Sequence, residues 1–298
     1  MWKTAFIWTT LLFLAYAQPV KAGWVITTQS SDSFGNKSFS TTFIQDSIIR
    51  IDKPTSISII NFNQKLITLI FAQHRAYWQG TAQDLNKTTS QMAKEQLTKL
   101  LAFAPEQKKQ AIKRALESFK KTQAKPDSLS VFPKVTVRKM SRKDTLLGYP
   151  STEYEVIIDS IVKQHVWVTQ KVKPYHEADI DRIMAFSKAM NPFTLVNSLN
   201  HSNSYRKLLE KGIILKSINY TTDGNKLITT VTKVRKMNIP VAIFQIPPGY
   251  VMTSLENVMI LDMKNNILDP KNLSPDDGSA DDGMPELPHN NDNNQNPF

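Results

Sequence analysis

Cysteine is absent from this chain of 298 residues. Without a thiol the chain cannot form a disulfide framework, a thiolate metal site or a cysteine nucleophile. We also expect no lipid anchor of the bacterial lipoprotein type, because that anchor is attached to a cysteine. Glycine is scarce, with nine residues, and neither a glycine-rich phosphate loop nor a G-x-S-x-G nucleophile turn occurs.

Histidine is also sparse, with five residues, and one dense group of potential metal ligands stands out at His176–Asp181. No second histidine follows His176 at the four-residue spacing of a zinc-protease helix. Its three acidic residues suit the start of a helix, where they complement the helix dipole. Glu153 and Glu155 lie on a predicted strand without a partner that defines an acid–base pair. We therefore predict no catalytic residue, no metal, no cofactor and no enzymatic activity.

The N-terminus has the features of a secretory signal peptide. Met1-Trp2-Lys3 is positively charged, and residues 5–16 form an apolar run shorter than the ~20 residues of a membrane-spanning helix. Val20-Lys21-Ala22 offers small residues for cleavage before the next residue, and Ala15-Tyr16-Ala17 is the alternative site. We predict a signal peptide over residues 1–22 and a periplasmic or secreted mature chain without a transmembrane segment.

Charge is divided unevenly along the chain. The formal net charge is +11, yet residues 269–298 hold seven Asp or Glu and one Lys. That end is also rich in proline and asparagine, so we predict an acidic disordered tail over residues 253–298. The basic remainder favours anionic surfaces such as a phospholipid membrane, and it equally serves to keep a protein in solution. No nucleic-acid-binding motif occurs, so we expect no nucleic-acid partner.

Short segments with alternating polarity predict an antiparallel sheet. They are rich in β-branched and aromatic residues and are separated by typical turn residues. Asp159-Ser160 and Asp223-Gly224 each predict a hairpin. The predicted strands are 24–31, 37–45, 47–51, 56–61, 66–72, 75–78, 131–140, 151–158, 161–170, 213–222 and 225–237.

Between these strands the apolar period changes from 2 to 3.6 residues, which predicts helices. Residues 88–104 and 105–123 predict a helical hairpin with a lysine-rich outer face, interrupted by a proline. Further helices are predicted at 177–190 and 203–211, the second ending at Gly212. This order of strands and helices favours an α+β fold with helices packed on one sheet.

Several short motifs follow one another in a familiar order. They begin with a D-T-L-x-G-Y segment and a Y-x-V strand, continue with a Trp-Val dipeptide and end in P-x-G-Y. The residues concerned are Asp144, Thr145, Leu146, Gly148, Tyr149, Tyr154, Val156, Trp167, Val168, Pro247, Gly249 and Tyr250. Over about residues 24–251, the chain resembles the exported family catalogued as domain of unknown function 4412. Pro150 departs from the family pattern, which commonly has Cys or Lys after the Gly-Tyr pair.

That family is similar in layout to the periplasmic LolA and LolB lipoprotein carriers. The resemblance implies an α+β domain over residues 23–252, built as a curved, open half-barrel of antiparallel strands. A helical hairpin and further helices would pack on its concave face. The family has no assigned activity, so the resemblance implies no catalytic residue.

Aromatic residues in the predicted strands suggest what such a sheet would bind. We predict that Phe39, Phe43, Trp78 and Trp167 contact a hydrophobic ligand, although for any single one of them ordinary core packing is the more frequent role. The resulting hypothesis is a non-catalytic binder or carrier of a lipid or acyl ligand, which also meets an anionic membrane surface. The alternative is an envelope interaction or stress-related module that binds another protein through the basic helical hairpin and the acidic tail.

Overall fold

Twelve strands pair into one open sheet. In space the order is β12-β6-β5-β4-β3-β2-β1-β11-β10-β9-β8-β7, and all neighbours are antiparallel except β12 and β6. In chain order the strands are β1 (Gly23–Ser31), β2 (Lys37–Gln45), β3 (Ile48–Asp52), β4 (Ile57–Asn61), β5 (Leu66–Phe71), β6 (Ala76–Gly80), β7 (Val135–Leu146), β8 (Tyr149–Ile158), β9 (Ile161–Thr169), β10 (Ile213–Tyr220), β11 (Lys226–Met237) and β12 (Val251–Met252).

The sheet belongs to a computed structural model that describes residues 22–124, 133–190, 199, 201–221 and 224–260. The predicted signal peptide lies outside these residues except for its last position, and so does the predicted acidic tail from residue 261 onward. Within the described ranges, no helix is long and apolar enough to cross a membrane.

Several hairpins turn through two residues with a left-handed backbone, the geometry that matches the twist of antiparallel strands. Asp159 and Ser160 have φ values of 48° and 68°, and the hairpin predicted there is confirmed by the pairing of β8 with β9. Leu147 and Gly148, with φ values of 53° and 76°, join β7 to β8 in a hairpin that was not predicted. The predicted α+β class with a large open antiparallel sheet is confirmed.

Side chains alternate between a face covered by helices, here called the helix-covered face, and the opposite outer face. The helix-covered face carries three apolar clusters. The first centres on Ile26, Ile44 and Leu215, the second on Ile67 and Phe71, and the third lies on β8 and β9. Burial of these side chains is the main force that holds the helices against the sheet.

The α-helices whose bounds lie within the described residues are α1 (Ala82–Phe103), α2 (Glu106–Ala124), α3 (Ile180–Met190), α4 (Asn203–Lys211) and α5 (residues 255–260). Phe186 of α3 packs against both the first and the second cluster. Leu208 of α4 is buried in the third cluster against Tyr154 and Val156. Gly212 ends α4 as predicted.

The hairpin of α1 and α2 meets the sheet through its base. Ala82 is buried in the second cluster, and Leu85 packs beside it. After Ala82, none of the described side chains of the hairpin is buried. Leu100 and Phe103 are 58% and 89% exposed. Among its described side chains, the predicted hairpin therefore contributes mainly its first turn to the helix-covered face.

The domain boundary predicted after residue 252 is too early. Leu255 and Val258 of α5 are 2% and 0% exposed and pack into the second cluster with Trp78. The apolar spacing of this short helix was hidden by the acidic composition of the segment that follows it. The folded body therefore includes residues at least as far as 260.

Candidate ligand-binding cleft

A cleft of about 700 Å³ lies between the start of α1, the helix α3 and the turn from β4 to β5. Its apolar lining is formed by Phe62, Ala82, Ala185, Phe186 and Ala189. This volume falls within the roughly 300–1,000 Å³ of typical small-molecule pockets.

The floor of the cleft is an aromatic pair. Phe62 and Phe186 meet edge to face, with ring centroids 5.5 Å apart and planes at 83°. Phe62 is buried in the first cluster, and Phe186 bridges the first and second clusters. Because both rings also pack against these apolar clusters, the floor of the cleft is part of the packed core.

The polar side of the cleft is cationic. Lys65 and Arg182 are exposed lining residues on opposite elements, the β4–β5 turn and α3. Arg182 donates from Nη1 to Asn63 Oδ1 at 2.7 Å, and its Nε lies 3.4 Å from Asp179 Oδ2. An apolar floor beside two cations suits an amphipathic ligand with an anionic group.

The start of α1 forms another wall of the cleft and is already capped. The Asp84 amide donates to Thr81 Oγ1 at 3.2 Å, and the Thr81 amide donates to Asp84 Oδ2 at 2.9 Å. The Thr81 hydroxyl also donates to Asp84 Oδ2, and this hydrogen bond lowers the pKa of the Asp84 carboxyl. The positive charge available to a ligand therefore comes from the two side chains at the rim.

The four aromatic residues predicted from the sequence do not meet. Trp78 lies on the helix-covered face in the second cluster. Phe39, Phe43 and Trp167 lie on the outer face, where the Arg50 guanidinium stands 5.9 Å from the Phe43 ring centroid. None of the four lines the cleft described above. Their contact with a ligand stays a prediction.

Trp167 lies instead beside an ion network on the outer face of β7, β8 and β9. Glu153 Oε1 is 2.8 Å from His165 Nδ1, and Arg138 Nε donates to Glu155 Oε2 at 2.8 Å. Both carboxylates are more than nine-tenths buried, and each has a basic partner, as buried charges require. The described residues hold no group of three or more metal-ligating side chains placed to bind an ion.

Sequence reasoning missed both rings of the cleft floor. Phe62 lies between two asparagines, in or beside the gap between the predicted strands 56–61 and 66–72, and Phe186 is one apolar residue among several in the predicted helix 177–190. Strand periodicity gives the relative sides of residues within one strand, but it does not give which side faces the helices. Because the sequence does not show which side of each strand faces the helices, the four aromatic residues were predicted to contact one common ligand.

A family model described as Domain of unknown function (DUF4412) matches residues 63–250, which is more than half of the chain. A search of the curated proteins finds no match.

Three solved structures are similar to this chain at low sequence identity. PNGF-II is 12% identical with a TM-score of 0.37; the match covers 82% of this chain and 33% of that chain, so this chain spans about a third of its length. A LolA superfamily protein from Nitrosomonas europaea is 7% identical, with coverages of 76% and 91% and a TM-score of 0.23. A DUF1329 family protein from Desulfovibrio piger is 8% identical, with coverages of 78% and 93% and a TM-score of 0.22. At these TM-scores the similarities carry no argument about function.

Proposed function

This chain belongs to the family described as Domain of unknown function (DUF4412), and from that premise we propose that it is an exported, non-catalytic carrier of a lipid-like ligand. The ligand lies in the cleft between α3 and the β4–β5 turn. The signal-peptide features of residues 1–22 support a location in the periplasm or outside the cell.

One observation carries the proposal: the cleft combines a packed aromatic floor with a cationic rim. A hydrocarbon chain gains about 0.8 kcal/mol for each methylene group that leaves water, and the Phe62–Phe186 pair offers it an apolar surface. Lys65 and Arg182 lie where a carboxylate or phosphate at the end of that chain would emerge. A ligand with both parts is therefore favoured over a purely apolar one.

The first test is native mass spectrometry of the exported protein purified from the cell envelope, followed by organic extraction. We expect a co-purified lipid or acyl species and a mass shift that disappears after extraction. A ligand-free mass that stays unchanged after incubation with envelope lipids would contradict the proposal.

A filling substitution then assigns the ligand to the cleft. Ala189→Phe adds a ring to the lining, and Ala111→Phe adds the same ring to an exposed position of α2. We expect the first change to reduce bound lipid at least tenfold and the second to leave it unchanged. Equal loading of both variants would place the ligand elsewhere.

A second function, binding of an envelope protein, is favoured by the exposed hairpin. Phe103 is 89% exposed beside the α1–α2 junction, and Lys108, Lys109 and Lys113 follow it on α2. Large exposed apolar residues next to charged ones are typical of protein contact sites. A photo-crosslinking amino acid at position 103 would join a discrete envelope protein, whereas the same group at Gln91 would not. Charge reversal of the three lysines should abolish that crosslink if the hairpin is the contact.

A further inference from the structure

One end of the sheet exposes apolar residues at neighbouring hairpins. Phe34, Phe39, Ile161 and Leu227 are 78%, 53%, 58% and 41% exposed. Four lysines stand next to them in the chain or across a turn. We call this set the tip surface, which consists of Phe34, Phe39, Ile161, Leu227, Lys37, Lys134, Lys163 and Lys226.

Strand register places these residues at the same end. Ser31, the last residue of β1, pairs with Lys37 of β2 and with Ile228 of β11. Tyr220 pairs with Lys226 across the β10–β11 turn, and Ile161 pairs with the last residue of β8. Because β2, β1, β11, β10, β9 and β8 are consecutive neighbours, their turns form one row.

Phe34 is held outward by a bonded turn. Asp32 Oδ1 accepts hydrogen bonds from the amides of Phe34 and Asn36, each at 2.9 Å. Asp32 Oδ2 accepts a third from Asn36 Nδ2 at 2.8 Å, and this bond lowers the pKa of the carboxyl. The carboxylate of Asp32 is therefore bonded within its own turn. The Phe34 ring projects into water and is 78% exposed.

The hairpins are also joined to one another. The Lys226 amide donates to Ser33 Oγ at 2.7 Å, which ties the β10–β11 turn to the β1–β2 turn. On the other side, the Lys134 amide donates to Asp159 Oδ1 at 2.9 Å, so this aspartate too is bonded to backbone. These bonds tie the β1–β2 turn to the β10–β11 turn, and the start of β7 to the β8–β9 turn.

We propose that the tip surface docks on a membrane that contains anionic phospholipid. Apolar side chains on separate tips enter the headgroup layer together, while the flanking lysines meet phosphate groups. The tip surface and an anionic membrane are complementary in charge and in shape. A row of separate apolar side chains flanked by lysines suits a planar, negatively charged surface. The tip surface lies at the end of the sheet away from the β4–β5 turn, so this docking does not depend on a ligand in the cleft.

The test is co-sedimentation of the exported protein with phosphatidylcholine vesicles that contain or lack phosphatidylglycerol. Mass spectrometry first identifies the N-terminus of the protein that is used. We expect binding to the anionic vesicles alone. The double variant Phe34→Ser, Ile161→Ser should bind them about a hundredfold more weakly, because each apolar side chain contributes about tenfold. Phe103→Ser, which removes a similarly exposed ring from the hairpin, should bind as the wild type does.

A second measurement reports which part of the surface enters the lipid. The chain has no cysteine, so Phe34→Cys and Phe103→Cys each give a single site for a nitroxide label. On anionic vesicles the label at position 34 should become accessible to oxygen in the bilayer, and the label at position 103 should stay accessible to aqueous nickel complexes.

Three results would overturn the proposal: no binding of the wild type, equal binding by the double variant, or a label at position 34 that remains in water. The cleft variant Ala189→Phe should retain vesicle binding in full. Failure of lipid loading in the cleft and failure of docking at the tips are therefore separate outcomes.

Discussion

Two helical regions of this protein contrast in how they meet the sheet. The nine-residue helix α4 buries Leu208 to 1% exposure on the third cluster. The 22-residue helix α1 buries Ala82 and leaves Leu100 58% exposed. Both show an apolar stripe in the sequence, so the stripe alone does not decide burial. What differs between them is whether the chain continues from the helix into a strand of the sheet or into another helix.

The connections of the two helices explain the difference. Helix α4 is followed at once by β10, so its C-terminus lies directly against the sheet. Helix α1 leaves from the end of β6, near one edge of the sheet, and continues into α2 rather than into a strand. Substitutions along these two helices should therefore differ sharply in effect.

The largest effect is expected at the junction of α4 and β10. A Cβ on Gly212 would lie 1.9 Å from the Thr169 carbonyl oxygen, so Gly212→Ala must shift backbone. We expect a loss on the order of 4–5 kcal/mol in the free energy of unfolding, measured by urea denaturation. Gly224→Ala is the control, since its Cβ meets nothing within 4 Å and costs only the ~1–2 kcal/mol of its left-handed backbone. Equal losses would show that the close contact at Gly212 is unimportant.

A matched pair of leucines tests the comparison directly. Leu208→Ala empties a fully buried site and should cost about 3 kcal/mol. Leu100→Ala acts on an exposed site and should stay within about 0.5 kcal/mol. Chemical denaturation of both variants measures the difference. Similar losses for the two would mean that the hairpin packs as α4 does.

A smaller loss than that of Leu208→Ala is expected at the start of α1, where the helix is capped. Thr81→Ala removes the cap of α1 and should cost about 1 kcal/mol in the free energy of unfolding at neutral pH. The hydrogen bond from Thr81 lowers the Asp84 pKa in the folded state, so its contribution exists above the ordinary aspartate pKa and fades as pH falls through the lowered one. Denaturation at several pH values should show the difference between the two proteins shrinking in acid, to the part that the bond from the Asp84 amide to Thr81 Oγ1 supplies at every pH. If the difference in the free energy of unfolding does not change with pH, the Thr81 cap stabilises α1 without a contribution from the Asp84 carboxylate.

Much of the sheet was predictable because its strands alternate clearly and are separated by turn residues. The hairpin at Asp159-Ser160 and the end of α4 at Gly212 follow from local chemistry alone. The β7–β8 hairpin was missed because Leu147 is an unusual residue for a left-handed turn. Helix α5 was missed because a few apolar residues precede a long acidic segment.

The cleft was less predictable than the fold. Phe62 and Phe186 are 124 positions apart, and their contact depends on how α3 lies over the sheet. Trp167 and Trp78 both occur in clear strands, yet they face opposite sides. Side assignment needs the strand order and register, which no single strand contains.

The pairing of β1 with β11 has a consequence for how the molecule assembles. Trp24 lies opposite Lys236, so the centre of the sheet joins nearly the first described residues to residues more than 200 positions later. Strands β1–β6 pair as successive hairpins, and so do β7–β9 and β10–β11, whereas β10 follows β9 only after α3 and α4. The β1–β11 pairing is the seam at which the two groups of strands meet. Contacts so distant in the chain close slowly, because the intervening segment must lose its freedom first. We expect the seam to form last, which leaves two half-sheets with unpaired strands for a chaperone to shield before folding is complete.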